Sequence, residues 1–137
     1  MKYQKDKIRL IILTVFLSII FISCEKENPR DLCGVWTIDK MTLNNKPFEK
    51  FLLVNTISFS CEENTAFLHA SLYYKQDSKA RWKLKKINGD YNLEIDSSID
   101  LFNDNFKVKI ERVSNGQLHL FLKSPKLYIS AFKIIED

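Results

Sequence analysis

Eight segments of this chain alternate apolar and polar residues with a period of two, and that pattern narrows the fold more than any other feature. They run Trp36 to Leu43, Thr56 to Cys61, Thr65 to Tyr74, Arg81 to Ile87, Tyr91 to Ile95, Asn105 to Val113, Gln117 to Lys123 and Leu127 to Ile135. Successive side chains of a strand point to opposite faces, so such alternation describes sheets with one buried face. The last segment differs in being apolar on both faces for much of its length. Asn88-Gly89-Asp90 and Asn115-Gly116 fall between alternating runs, and Asn-Gly supplies the positive φ that a tight hairpin needs. Between the first two runs, "NNKPFEKFLLVN" breaks the alternation; Phe48, Phe51 and Leu52, at spacings of three and four, predict a short helix starting near Pro47. A second irregular stretch, Ser97 to Asp104, reads as a loop with a turn of helix. Eight strands joined mainly by short turns form a meander, and closure removes its exposed edges. The expectation is therefore all-β: a small up-and-down antiparallel barrel of about eight strands with a short helix between the first two. A barrel of this size either fills with side chains or encloses one small ligand, and periodicity does not separate those outcomes.

Upstream of the barrel the chain changes character. A basic head carries Lys2, Lys5, Lys7 and Arg9 against one acid, Asp6, and an apolar run from Leu10 to Ser23 follows. That run is too short for the roughly 20 residues of a spanning helix and fits the apolar region of a secretory signal. Phe21-Ile22-Ser23-Cys24 resembles the lipobox of bacterial lipoproteins. The resemblance implies cleavage before Cys24, a thioether-linked diacylglycerol on its sulfur and acylation of the new amine. Residues 1–23 are then a signal peptide, 24–30 a tether and 31–137 the folded domain. Each buried acyl methylene contributes roughly 0.8 kcal/mol, so several chains anchor a protein stably to a membrane. Glu25, Lys26 and Glu27 resemble the acid-rich surface-export signal of lipoproteins in the Bacteroidota, or form a simple charged tether. The implied location is the bacterial outer membrane, on its periplasmic face or at the cell surface.

The chain's formal charge of +4 is carried largely by the signal segment, and the mature domain is near neutrality. Nucleic acid is therefore not an expected partner, since electrostatic binders converge many bases on one surface. The densest basic segment, Lys79 to Lys86, reads either as the solvent face of a strand or as a contact for anionic lipid, glycan or phosphate. With Cys24 assigned to lipid, Cys33 and Cys61 form an even pair in an oxidising compartment. They reach the same end of the ladder if the first two strands pair antiparallel, and are either a disulfide or two buried thiols.

"LCGVWTI", with Gly34 and Trp36 opening the first strand, resembles the Gly-x-Trp opening of lipocalins, and "ARWKLKKINGDYNLEI" is similar to the central hairpin of lipocalin-like lipoproteins of the Bacteroidota. The resemblance implies that Trp36 packs across the closed end of the barrel, a structural role. The chain departs from the family in its shorter length, in lacking a long helix after the last strand and in lacking a Thr-Asp-Tyr motif.

Chemistry-bearing residues are sparse. His69 and His119 are the two histidines, no set of His, Cys or acids stands at metal-ligand spacing, and the isolated glycines make no phosphate loop. Neither an enzymatic reaction nor a cofactor is expected. His69 shares a strand face with Phe67 and Tyr73; turned inward, these three and Trp82 would line a ligand cavity. The opposite face, Ala66, Leu68, Ala70 and Leu72, is aliphatic and buries more readily, which would leave His69 at the surface. Two functional readings follow: a lipid-anchored binding module for a small hydrophobic or amphipathic ligand or a glycan fragment, and a structural or protein-interaction lipoprotein with a filled barrel that meets an envelope partner.

Overall fold

A computed structural model describes residues 28–48, 55–68 and 79–134. The signal segment, Cys24, residues 49–54 of the expected helix, His69 and Tyr73 lie outside the described residues. A 3-10 turn, Pro29–Leu32, leads into strands β1 (Gly34–Leu43), β2 (Lys46–Pro47), β3 (Thr56–Ser60), β4 (Thr65–Leu68), β5 (Lys79–Ile87), β6 (Asp90–Asp96), β7 (Asp104–Arg112), β8 (Leu118–Lys123) and β9 (Leu127–Lys133). All pairings are antiparallel. From β3 onward each strand pairs with the next, β1 pairs with β3, and β9 returns to β1. The result is a closed barrel of eight strands with β2 outside it, the all-β meander that the alternation predicts.

Closure depends on a bulge in β1. Ile38 pairs with Ala131 and Lys40 with Ser130, so Asp39 is an extra, exposed residue. It shifts the alternation by one, which keeps Trp36, Ile38 and Met41 all buried. Past the bulge β1 exchanges its neighbour: Gly34 to Thr37 pair with β3, whereas Thr42 and Leu43 pair with β2.

The hairpins use asparagine in two ways. Asn88 and Gly89 have φ values of 52° and 91° and make a two-residue turn between Ile87 and Asp90. At Asn115-Gly116 only the glycine is left-handed, and Gly116 N donates to Val113 O while Val113 N donates to Gln117 O, giving a longer bulged turn. Asn44 and Asn45, with φ of 50° and 63°, build a third tight turn that sequence alternation did not predict. It sets Lys46-Pro47 against Thr42-Leu43, so Pro47 belongs to a short strand instead of opening a helix. An outside strand tolerates proline because its missing N–H costs no ladder bond.

Among the described residues, the inward-facing side chains pack into one continuous core. Trp36, Met41, Ala66, Leu93, Phe106, Leu120, Leu122, Ile129 and Ala131 expose none of their surface. At the end away from Gly34 and Lys133, the 97–103 segment folds inward: Phe102 N and Asn103 N donate to Ile99 O, Ser97 Oγ accepts from Ile99 N, and Ile99, Leu101 and Phe102 join the core. Lys126 Nζ donates to Asp100 O and ties this segment to the β8–β9 turn. Each large side chain so buried contributes roughly 1.5–3 kcal/mol.

Candidate functional site

Three elements, the 3-10 turn, β1 and β9, meet at the N-terminal end of the barrel. Asn28 Oδ1 accepts from Arg30 N and caps the 3-10 turn, whose last carbonyl, Leu32 O, accepts from Trp36 Nε1 at 2.8 Å. Lys133 Nζ donates to Asp31 O at 2.8 Å and stands 5.4 Å from the centroid of the Trp36 ring. Burial pushes its ammonium below the ordinary lysine pKa, against the opposing pull of the Asp31 carboxylate. Gly34 has φ of 116°, and a Cβ there would lie 3.1 Å from Lys133 Cε, so both its backbone and its neighbour favour glycine. Trp36 seals this end; Lys133 lies far from it in sequence and no local pattern marks it as a partner.

Beside this seal, Cys33 and Cys61 are joined in a disulfide with Cα atoms 5.6 Å apart. The antiparallel register that pairs Gly34 with Phe59 brings them together. The bond closes a loop of 28 residues, so reduction is expected to lower stability by about 3.5 kcal/mol on the chain-entropy estimate. Urea unfolding with and without a reductant, checked by thiol alkylation and intact mass, measures it.

Of the residues grouped as a ligand cavity, the two that are described, Phe67 and Trp82, lie on opposite faces. Ala66 and Leu68 point inward, whereas Phe67 is 41 % exposed with Lys79 Nζ 5.9 Å from its ring centroid. Trp82 lies on the opposite face, inside the barrel; its Nε1 donates to Thr65 O at 3.0 Å, and its ring meets Phe59 edge-on at 6.1 Å. Phe67 and Trp82 therefore share no cavity, because the aliphatic face of β4 is the buried one.

Three bases of the β5 segment are paired with acids, two on β6 and one in the β3–β4 turn. Arg81 pairs with Asp96 at 2.6 Å, Lys85 with Glu94 at 2.8 Å and Lys79 with Glu63 at 3.2 Å, all near the solvent. The hydrogen bond from Lys85 and its charge hold the Glu94 carboxyl below its ordinary pKa. Exposed pairs of this kind contribute little stability, but they offset much of the positive charge of this strand.

The outer face of β7, β8, β9 and β1 is different. The His119 ring lies between Phe121, 4.1 Å away, and Phe132, stacked at 4.0 Å, and its Nε2 is joined to Ser130 Oγ by a hydrogen bond of 2.7 Å. Two grooves flank this stack. One, of about 560 Å³, is bordered by Lys107, Phe121, Lys123 and Tyr128; the other, of about 650 Å³, by Thr37, Asp39, Gln117 and Phe132. Ser130 faces outward yet is only 4 % exposed, covered by its neighbours, so its hydroxyl is shielded from a substrate carbonyl although a histidine touches it. Glu111, opposite His119 in the ladder, is paired with Lys109. The arrangement suits binding better than nucleophilic chemistry. Its sequence signal is the double-sided apolar character of the last strand, whose outward Tyr128 and Phe132 complete the patch. Among the described residues no group of three His, Cys, Asp or Glu could hold a metal. No family model, curated protein or solved structure matches the chain.

Proposed function

We propose that this protein is a lipid-anchored component of the bacterial outer membrane, held by acyl groups on Cys24, whose lipocalin-like barrel is a filled scaffold that works without catalysis through its outer face. The filled interior carries this reading. A side chain bordering a void large enough for water would expose surface to it; Trp36, Met41, Ala66, Leu93, Phe106, Leu120, Leu122, Ile129 and Ala131 expose none, and the half-buried Leu84, Val108, Ile110 and Leu118 pack against that core. A carrier of a small hydrophobic molecule needs a cavity of roughly 300 Å³ or more. The sites of that size described above lie outside, along β6 to β9 and β1. Support for the anchor comes from the lipobox-like Ile22-Ser23-Cys24 that follows the apolar run.

Native mass spectrometry of the full-length protein released gently from its own host's envelope tests the reading. The expected spectrum shows the lipidated chain without a stoichiometric apolar small molecule. A retained one-to-one hydrophobic ligand that survives substitution of Phe121 would overturn it in favour of an interior carrier.

A further inference from the structure

We infer that the groove on the outer face of β6 to β9 is a binding site for an anionic sugar, a pyranose-type ring bearing a carboxylate or sulfate. The inference rests on the outer face being the working surface. Ladder register places Asn92, Lys107, Lys123, Tyr128 and Thr42 side by side in one row across four interstrand pairings. Lys107 and Lys123 are direct cross-strand partners, both exposed, and neither has an ion-pair partner among the described residues. Like charges facing one another are unfavourable in a sheet, and the β5–β6 ladder of the same barrel avoids this by setting Arg81 against Asp96 and Lys83 against Glu94. A single bound anion between the two ammonium groups would relieve that repulsion. In the next row Phe121 opposes Lys109 and Ser130. Glu111 is taken up by Lys109, and Asp90 lies at the far rim beside the β5–β6 turn.

The surroundings select a sugar over other anions. Phe121 and Tyr128 are half-buried and offer ring surface against which the C–H face of a sugar packs, while the Tyr128 hydroxyl supplies a neutral donor and acceptor for a ring hydroxyl. β6 through β9 are each paired on both sides, so an acidic peptide finds no free strand edge to extend. A lipid surface is engaged by protruding apolar side chains, and those exposed among the described residues, Phe67, Ile87 and Ile134, border no part of this groove.

The test titrates the full-length, isotope-labelled chain in detergent micelles with oligogalacturonate, a chondroitin sulfate disaccharide, a neutral cello-oligosaccharide and short-chain phosphatidylglycerol, following backbone amide resonances. Saturable shifts at Lys107, Phe121, Lys123 and Tyr128 are expected with at least one charged sugar and not with the neutral one. Lys123→Gln and Phe121→Ala should each weaken binding about tenfold, the scale of one charge-assisted contact. Lys123 is exposed, so its variant keeps the fold, and unchanged amides elsewhere verify this. Silence with both charged sugars, shifts with phosphatidylglycerol alone, or undiminished binding by Lys123→Gln would each overturn the inference. Shifts centred on the inward Leu93, Phe106 and Leu122 would instead overturn the outer-face reading itself.

Discussion

Replacing Trp36 with alanine is expected to destabilise the protein by about 3–5 kcal/mol, the range for removing a buried large aromatic from a core. That is a large share of the roughly 5–15 kcal/mol that holds a typical domain together, so a substantial unfolded fraction should appear at growth temperature. Three losses coincide: the fully buried indole itself, the bond from Nε1 to Leu32 O that fixes the 3-10 turn, and the ring beneath Lys133. Once the indole is gone, Leu32 O loses its donor and Lys133 loses the ring that covers it. Trp36→Phe separates these contributions, since it preserves most of the packing and removes the N–H. Its cost should be smaller, about 1–3 kcal/mol. Urea midpoints at constant slope measure both, and equal costs for the two substitutions would mean that the hydrogen bond, not the packing, holds this end shut.

The second large effect concerns location. Cys24→Ser removes the sulfur that the proposed diacylglycerol requires and should move the protein from the detergent phase to the aqueous phase in a cloud-point partition. At about 0.8 kcal/mol for each buried methylene, loss of the acyl chains removes essentially all membrane affinity. Intact mass should show a chain shortened by loss of the apolar run and carrying no acyl groups. A Cys24→Ser protein that still partitions fully with detergent, at the mass of the unprocessed wild-type chain less one sulfur-for-oxygen exchange, would make the apolar run an uncleaved anchor. The Lys133 and Cys33 contacts lie in the folded domain and should be unaffected by this change.

Strand alternation makes most of the architecture legible in the sequence. Each of the eight barrel strands falls within or close to an alternating run, because a half-buried strand cannot avoid writing its two faces into the sequence. The turn at Asn44-Asn45 was hidden because neither residue is glycine, although asparagine tolerates the left-handed region better than most residues. That turn converted an expected helix start at Pro47 into an outside strand. The bulge at Asp39 left a legible trace, two consecutive polar residues between Ile38 and Met41, which makes sense once the ladder shows the register shift. Site residues were harder to read. Period two says that Phe67 and Trp82 each lie on some face, but not whether their faces coincide after the chain turns; they point to opposite sides. The like-charged contact of Lys107 with Lys123 depends on the register of β7 with β8, a nonlocal quantity that the length of the Asn115-Gly116 turn sets. His119 was visible only as a polar position on an outward face, since its aromatic neighbour Phe132 comes from the next strand.

The central claim, a barrel filled with its own side chains, is tested most directly by the two tryptophans, because both of the chain's indoles, Trp36 and Trp82, are buried inside it. Titration of the full-length protein with an apolar fluorescent fatty acid that accepts energy from indole, above the concentration needed to saturate the detergent, provides the measurement. A filled barrel predicts no saturable energy transfer and no change in unfolding midpoint. Saturable one-to-one transfer with quenching of both indoles, accompanied by stabilisation against urea, would contradict the account and place an apolar ligand inside the barrel.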